Sequence, residues 1–152
     1  MQTYIKVVAC LIRENNGEKQ ILSFVHPPPL NDYQIPKGTV EKGENLEIAA
    51  LRELYEESGI SNCEIEKYLG SFELITEGGT NRELPLEKQI WHVYTIKANE
   101  PLSDSWEHIV SGKGIDKGLV YKYFWHNWKT NNSRFHHKFH RLFHFIENTR
   151  PN

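Results

Sequence analysis

Two early stretches of the chain carry runs of β-branched and apolar residues, Tyr4-Ile5-Lys6-Val7-Val8-Ala9-Cys10-Leu11-Ile12 and Gln20-Ile21-Leu22-Ser23-Phe24-Val25. Between them Asn16-Gly17 favours a tight reversal, so the pattern predicts a β-hairpin. His26-Pro27-Pro28-Pro29-Leu30-Asn31-Asp32 cannot extend the second strand, because three prolines remove three backbone donors and fix φ. A surface loop ending at Ile35-Pro36 is expected there. From Glu44 to Ser58 good helix formers run without Gly or Pro, and Gly59 stands where a left-handed cap ends a helix. At helical spacing Ile48, Leu51, Leu54 and Tyr55 share one flank, while Ala49, Glu53, Glu56 and Glu57 share the opposite one. The expected helix therefore has a core side and a carboxylate side.

Further strand-like segments run over Cys63 to Ile75, Gln89 to Ile96 and Gly118 to Trp125, with turns or loops at Glu77-Gly78-Gly79-Thr80-Asn81 and Ser111-Gly112-Lys113-Gly114. A closing helix from about Ser133 to Glu147 places Phe135, Phe139, Leu142, Phe143 and Ile146 at a spacing suited to packing on a sheet. No internal repeat or linker divides the pattern, and a single α/β domain over residues 1–152 is expected.

Composition narrows the class. A chain of 152 residues, 38% hydrophobic and 25% charged, can bury a real core without disulfide or metal staples. Cys10 and Cys63 are isolated from one another and read as reduced thiols. No run is long enough to span a bilayer, and Met1 to Leu11 lacks the pattern of a secretory signal, which gives the expectation of a cytoplasmic protein with no membrane partner. A net charge of −2 argues against general nucleic-acid binding. Its distribution is uneven: from Glu41 to Glu77 ten acidic residues face three basic ones, and from Lys122 to Arg150 six basic residues face one acid.

That acidic centre carries the chemistry. Glu53, Glu56 and Glu57, at i, i+3 and i+4, share a helix face and repel one another. Taken alone they fit a solvated acidic face; a bound divalent cation is the other reading, since hard oxygen ligands suit Mg²⁺ or Mn²⁺. The surroundings favour the second. Pro36-Lys37-Gly38 and Gly43 bracket a short loop able to bring main-chain groups close to a ligand, and Arg52 can hold a glutamate by bidentate hydrogen bonding or help neutralise phosphate.

Gly38, Glu44, Arg52-Glu53-Leu54, Glu56-Glu57 and Gly59-Ile60 match every defined position of the Nudix box, over residues 38 to 60. The chain thus resembles the Nudix hydrolases (MutT-like), and its flanking elements look compatible with that fold. The resemblance implies an α/β/α sandwich around a mixed β-sheet, and hydrolysis of a diphosphate bond in a nucleoside diphosphate derivative with Mg²⁺ (or Mn²⁺) as cofactor. Carried over by position, Glu53, Glu56 and Glu57 bind metal with help from the Lys37 carbonyl. Glu53 is the first choice of base, Arg52 orients a glutamate, and Glu57 joins the catalytic set. Lys37, Gly38 and Glu44 support the substrate. The implied partner is a small-molecule nucleotide, taken up by a monomer or homodimer. The alternative is a non-catalytic module of the same fold that senses a nucleotide or an RNA end.

Some family members use a glutamate outside the box as base, and Glu83, Glu87, Glu100 and Glu107 fall in or near later loops, where each is otherwise a solvated surface residue. Substrate markers do not settle the subfamily. No Ser-Gln-Pro-Trp-Pro-Phe-Pro-like segment follows the box, the proline of ADP-ribose hydrolases is absent at Ile75 and Thr76, and the tyrosine of dinucleoside polyphosphate hydrolases is missing at Glu77 and Gly78. Pro36-Lys37-Gly38 does resemble the last group. Trp91, Tyr94 and Trp106 offer a stacking face for a base, with core packing the safer reading. Ser111-Gly112-Lys113-Gly114 lacks the spacing of a phosphate-binding loop and reads as a connection. His136, His140 and His144 recur every four residues beside His137, and a polar face or partner contact is favoured over a zinc site.

Overall fold

In a computed structural model of the chain, residues 1–77 and 85–149 are described. β1 (Gln2–Asn15) and β2 (Glu18–Val25) form the expected hairpin, closed by Asn16 and Gly17 at φ 52° and 80°. Two short strands follow, β3 (Tyr33–Gln34) and β4 (Lys37–Thr39), then α1 (Leu46–Ser58), β5 (Cys63–Glu77), β6 (Leu86–Ala98), β7 (Trp106–Ile109), β8 (Val120–His126) and α2 (His137–Thr149).

The strands join in the order β5-β6-β1-β2-β8-β7; β3 adds to β2 and β4 to β1. β1 and β6 run parallel and the other pairs antiparallel, so the sheet is mixed. β1 is shared between two neighbours on one side: its end, Ile12 to Asn15, bonds to β2, whereas Lys6 to Val8 bonds to β4. This divergence brings β4 beside α1.

Alternation along β1 separates the two faces. Val8 and Cys10 pack with Trp91 and Val93 of β6 under Phe139, Leu142, Phe143 and Ile146 of α2. Ala9 and Leu11 pack with Leu54 of α1, and Val7 lies against Ala49 and Ala50. One helix on each face of a mixed sheet is the α/β/α sandwich expected.

The elements differ from the sequence reading in instructive ways. α1 begins at Leu46 because Asn45 caps it, its Oδ1 accepting from the backbone N–H groups of Glu47 and Ile48 at 2.9 and 3.2 Å. Its buried face is rotated from the one expected: Leu54 is buried and Leu51 packs against the core as assigned, but Ile48 and Tyr55 are 60% and 52% exposed, and Glu53 and Glu57 are buried with Ala49 and Ala50. Small alanines let the helix approach the sheet, and the carboxylates turn inward with them. α2 starts at His137 rather than Ser133, since the backbone of Phe135 bridges to Tyr33 before the helix begins. The proline-rich loop ends on a fully buried Ile35. Cys10 is buried and Cys63 half-buried, both free thiols. Among the described residues no helix is long and apolar enough to cross a membrane.

Candidate active site

The carboxylates of α1 are organised around one guanidinium. Arg52 donates from Nε and Nη2 to the two Glu44 carboxylate oxygens at 2.7 and 2.9 Å, a bidentate pair. Its Nη1 donates to Glu53 at 2.8 Å and lies 3.3 Å from Glu56, while Nη2 also reaches the Thr39 carbonyl of β4 at 3.1 Å. Three glutamates of the box and the backbone of β4 are thereby tied together by a single side chain. Hydrogen bonding to Arg52 holds the Glu44 carboxyl below its ordinary range.

Glu53 and Glu57 behave differently. Burial pushes the Glu53 carboxyl up, against the pull of Arg52. Glu57 is displaced further upward, first by burial and then by the adjacent Glu53 charge. Each of the two buried carboxyl groups acts on the other, and burial disfavours a charge on both at once. The Glu53 carboxylate lies directly on the backbone of Gly38, where any Cβ would overlap it. Glycine at position 38 is therefore a requirement of close approach. Glu56 uses a second glycine in the same way: a Cβ on Gly112, at φ 91°, would collide with its carboxylate.

The C-terminal turn of α1 is held by side chains from β7, β8 and the loop between them. Trp106 Nε1 donates to the Ser58 carbonyl at 3.0 Å, and the Tyr123 hydroxyl donates to that of Glu57 at 2.7 Å. The Ser111 N–H donates to the Glu56 carbonyl at 2.9 Å, and the His108 ring lies 3.1 Å from the same oxygen. Carbonyls that a helix end leaves unpaired are thus satisfied, and Glu56 and Glu57 are fixed through their main chain. Sequence reading named Trp106 only as a ring for stacking or packing and Ser111 only as part of a connection, and it missed this role for them and for His108 and Tyr123, because β7 carries no strong strand pattern.

Of the glutamates outside the box, Glu100 and Glu107 are exposed, and Glu107 faces Lys122 at 4.0 Å. Glu87 is 1% exposed and accepts from Gln89 at 2.8 Å. It is a buried residue, not the solvated one expected. Glu83 lies outside the described residues. An acid that sequence reading did not single out, Asp116, stands within electrostatic reach of Glu57 and accepts from the Tyr121 hydroxyl at 2.8 Å. Trp91 and Tyr94 are buried, and Trp106 stacks on Tyr123, so all three rings pack as the safer reading had it. Lys37 places its Nζ 5.3 Å from the Trp91 ring centre. His140 and His144 line a cavity of about 370 Å³ with Trp128, Phe143 and Glu147, and have Asn132 and Asn148 as partners.

Among the described residues no three acidic, histidine or cysteine side chains are already disposed as a metal cage. The donor set nevertheless fits a hard cation: Glu53, Glu56 and Glu57 supply only oxygen, on adjacent turns, with a buried carboxyl pair that a divalent charge would deprotonate.

Comparison with known proteins agrees with this geometry. The NUDIX domain model matches residues 3–143. An RNA pyrophosphohydrolase of Caulobacter vibrioides is 37% identical over 87 residues, which cover 48% of this chain and 46% of that protein. One from Actinobacillus pleuropneumoniae is 31% identical over 83 residues, 49% of this chain and 40% of its own. The chain spans about half the length of these curated relatives or less. Among solved structures, a C. elegans Ap4A hydrolase superposes with TM-score 0.63 at 16% identity, covering 95% of this chain and 96% of that one. A MutT protein from Methanosarcina mazei gives 0.64 at 20% identity, covering 99% and 97%. With the complete box running from β4 through α1 in the matching fold, this chain belongs to the Nudix family.

Proposed function

We propose that the chain hydrolyses a diphosphate bond within a nucleotide-type substrate, using Mg²⁺ or Mn²⁺. The observation that carries this reading is the buried Glu53–Glu57 pair lying against Gly38 while Arg52 gathers Glu44, Glu53 and Glu56. Burying like charges costs stability, and the fold gains nothing from it unless a cation is to be received.

A divalent metal bound there would offset phosphate charge and acidify an attacking water. The chain's own residues supply the rest. Glu53, Glu56 and Glu57 would hold the cation with the Lys37 carbonyl, and Arg52 fixes Glu53 and Glu56 in rotamer. Glu53 accepts the proton of the water, with Asp116 the acid outside the box best placed to assist. Gly38 lets the Glu53 carboxylate lie against the main chain of β4, and the Lys37 ammonium neutralises phosphate. Relatives named as RNA pyrophosphohydrolases and an Ap4A hydrolase of the same fold make RNA 5′ ends and dinucleoside polyphosphates the first substrates to assay.

The test is release of phosphate, pyrophosphate or mononucleotide from a panel containing a 5′-triphosphorylated oligoribonucleotide, a dinucleoside tetraphosphate and ADP-ribose. Each is assayed with Mg²⁺, with Mn²⁺ and with EDTA. Metal-dependent turnover of at least one member is expected. Tight binding without turnover of any of them would replace the enzyme with a sensor of nucleotides or RNA ends.

A further inference from the structure

A helix that continued past Ser58 would bond the Glu56 carbonyl to the N–H of Ile60. That N–H turns instead to the Ser58 hydroxyl at 3.2 Å, and Gly59, at φ 82°, ends α1. The Glu56 carbonyl is left to donors from outside the helix. It accepts from the Ser111 N–H at 2.9 Å and the Ser111 hydroxyl at 3.4 Å, and His108 Nε2 lies 3.1 Å away. His108 belongs to β7, and Ser111 opens the loop that leads to β8.

The next residue of that loop meets the other end of Glu56. The Gly112 backbone stands so close to the Glu56 carboxylate that a Cβ there would overlap it, while Arg52 Nη1 holds the same carboxylate at 3.3 Å. The loop is braced at its base. Val110 donates its N–H to the Leu119 carbonyl at 2.8 Å, and Gly118 donates back to the Val110 carbonyl at 2.9 Å. Leu119 N–H donates to the Asp116 carbonyl at 3.0 Å, and the Tyr121 hydroxyl ties the Asp116 carboxylate at 2.8 Å. Capping the helix end needs only the donors of Ser111 and His108. It gives no reason for a backbone to close on the carboxylate as well.

We propose that Gly112 is a positioning residue for the metal site: its backbone, reaching Glu56 from outside the box, fixes that carboxylate in the rotamer that receives the cation. Divalent affinity then depends on the β7–β8 loop. This rests on the metal-dependent hydrolase reading above. A ligand already held in place surrenders less rotamer freedom when the cation arrives.

Gly118 provides a matched comparison. It lies in the same loop at the same φ of 91°, with open space where a Cβ would stand. Alanine at either glycine meets a comparable backbone penalty at positive φ, and only at Gly112 does it also displace Glu56.

The experiment titrates Mn²⁺ calorimetrically into the full chain after thermal melts confirm folding. Wild type is compared with Gly112→Ala, Gly118→Ala, Glu56→Gln and the double variant Gly112→Ala/Glu56→Gln. Gly112→Ala is expected to weaken Mn²⁺ binding by about tenfold or more, the scale for losing the partner of a metal ligand, with Gly118→Ala within about twofold of wild type. In the Glu56→Gln background the Gly112 substitution should cost nothing further, because it acts through that carboxylate. No loss at Gly112, equal losses at the two glycines, or additive losses in the double variant overturn the positioning role. Should Gly112→Ala fail to fold, Gly112→Asn and Gly118→Asn repeat the comparison with a residue more tolerant of positive φ, read by the same outcomes. Unchanged Mn²⁺ affinity in Glu56→Gln removes Glu56 from the metal site and overturns the proposal with it. Mn²⁺ binding that depends on Gly112, in a chain that turns over no nucleotide, overturns the hydrolase reading and leaves the positioning role standing.

Discussion

The backbone of Gly38 on β4 and the carboxylate of Glu53 on α1 occupy touching space, leaving no room for a Cβ between them. A residue of the box that looks like loop punctuation in sequence is thus a contact surface for a functional side chain. Gly38→Ala is expected to displace the Glu53 carboxylate. Turnover should fall about 100-fold, the scale associated with misplacing a reacting group by roughly 1 Å. Steady-state kinetics at saturating Mg²⁺ test this, with far-ultraviolet dichroism showing the fold retained.

Arg52 is the shared counter-charge of Glu44, Glu53 and Glu56. Arg52→Ala leaves these carboxylates facing one another and should destabilise the metal-free protein by about 1–3 kcal/mol, the usual range for losing a hydrogen bond to a charged group. Urea unfolding in EDTA measures it. Mg²⁺ should recover part of the loss, and a variant as stable as wild type would show that the guanidinium is not the organising charge.

Burial raises both Glu53 and Glu57 above the glutamate reference of 4.5. A carboxyl whose folded pKa is raised binds more protons in the native than in the unfolded state. Its stabilising contribution is complete below the unfolded value and is lost as pH rises through the folded one. In EDTA the contribution of this pair should therefore decline upward from about pH 4.5. Mg²⁺ should oppose that decline, and apparent metal affinity should rise with pH. Thermal melts across pH, with and without Mg²⁺, give both signs.

Glu57→Gln removes a carboxylate proposed to bind metal and with it the like-charge burden on Glu53. Turnover should be nearly abolished, while the metal-free melting temperature at pH 8 stays at or above that of wild type. Wild-type activity at modest Mg²⁺ would remove Glu57 from the site.

Asp116 is held by the Tyr121 hydroxyl, and its charge acts on Glu57 from the loop between β7 and β8. Asp116→Asn should lower kcat by about tenfold or more, within the range for positioned acid–base groups, with little change in melting temperature. Equal kcat in the variant would leave Glu53 as the base without help from this loop.

What the sequence determined by itself was local or motif-borne. The hairpin at Asn16-Gly17, the cap at Gly59 and the Nudix box depend on residue type at short spacing, and the backbone obeys the same rules wherever they occur. Only the tertiary structure decided which way α1 faces. A helical wheel ranks Ile48 and Tyr55 as core, yet the sheet accepts Ala49 and Ala50 because close packing needs small side chains, and this carries Glu53 and Glu57 inward. The same holds for Asp116 and for the β7–β8 groups on the last turn of α1. Each is far from the box in sequence, and no periodicity announces it. They reach the helix because β8 pairs with β2 and β7 with β8, which carries that edge of the sheet to the end of α1, a relationship that belongs to chain topology rather than to local preference.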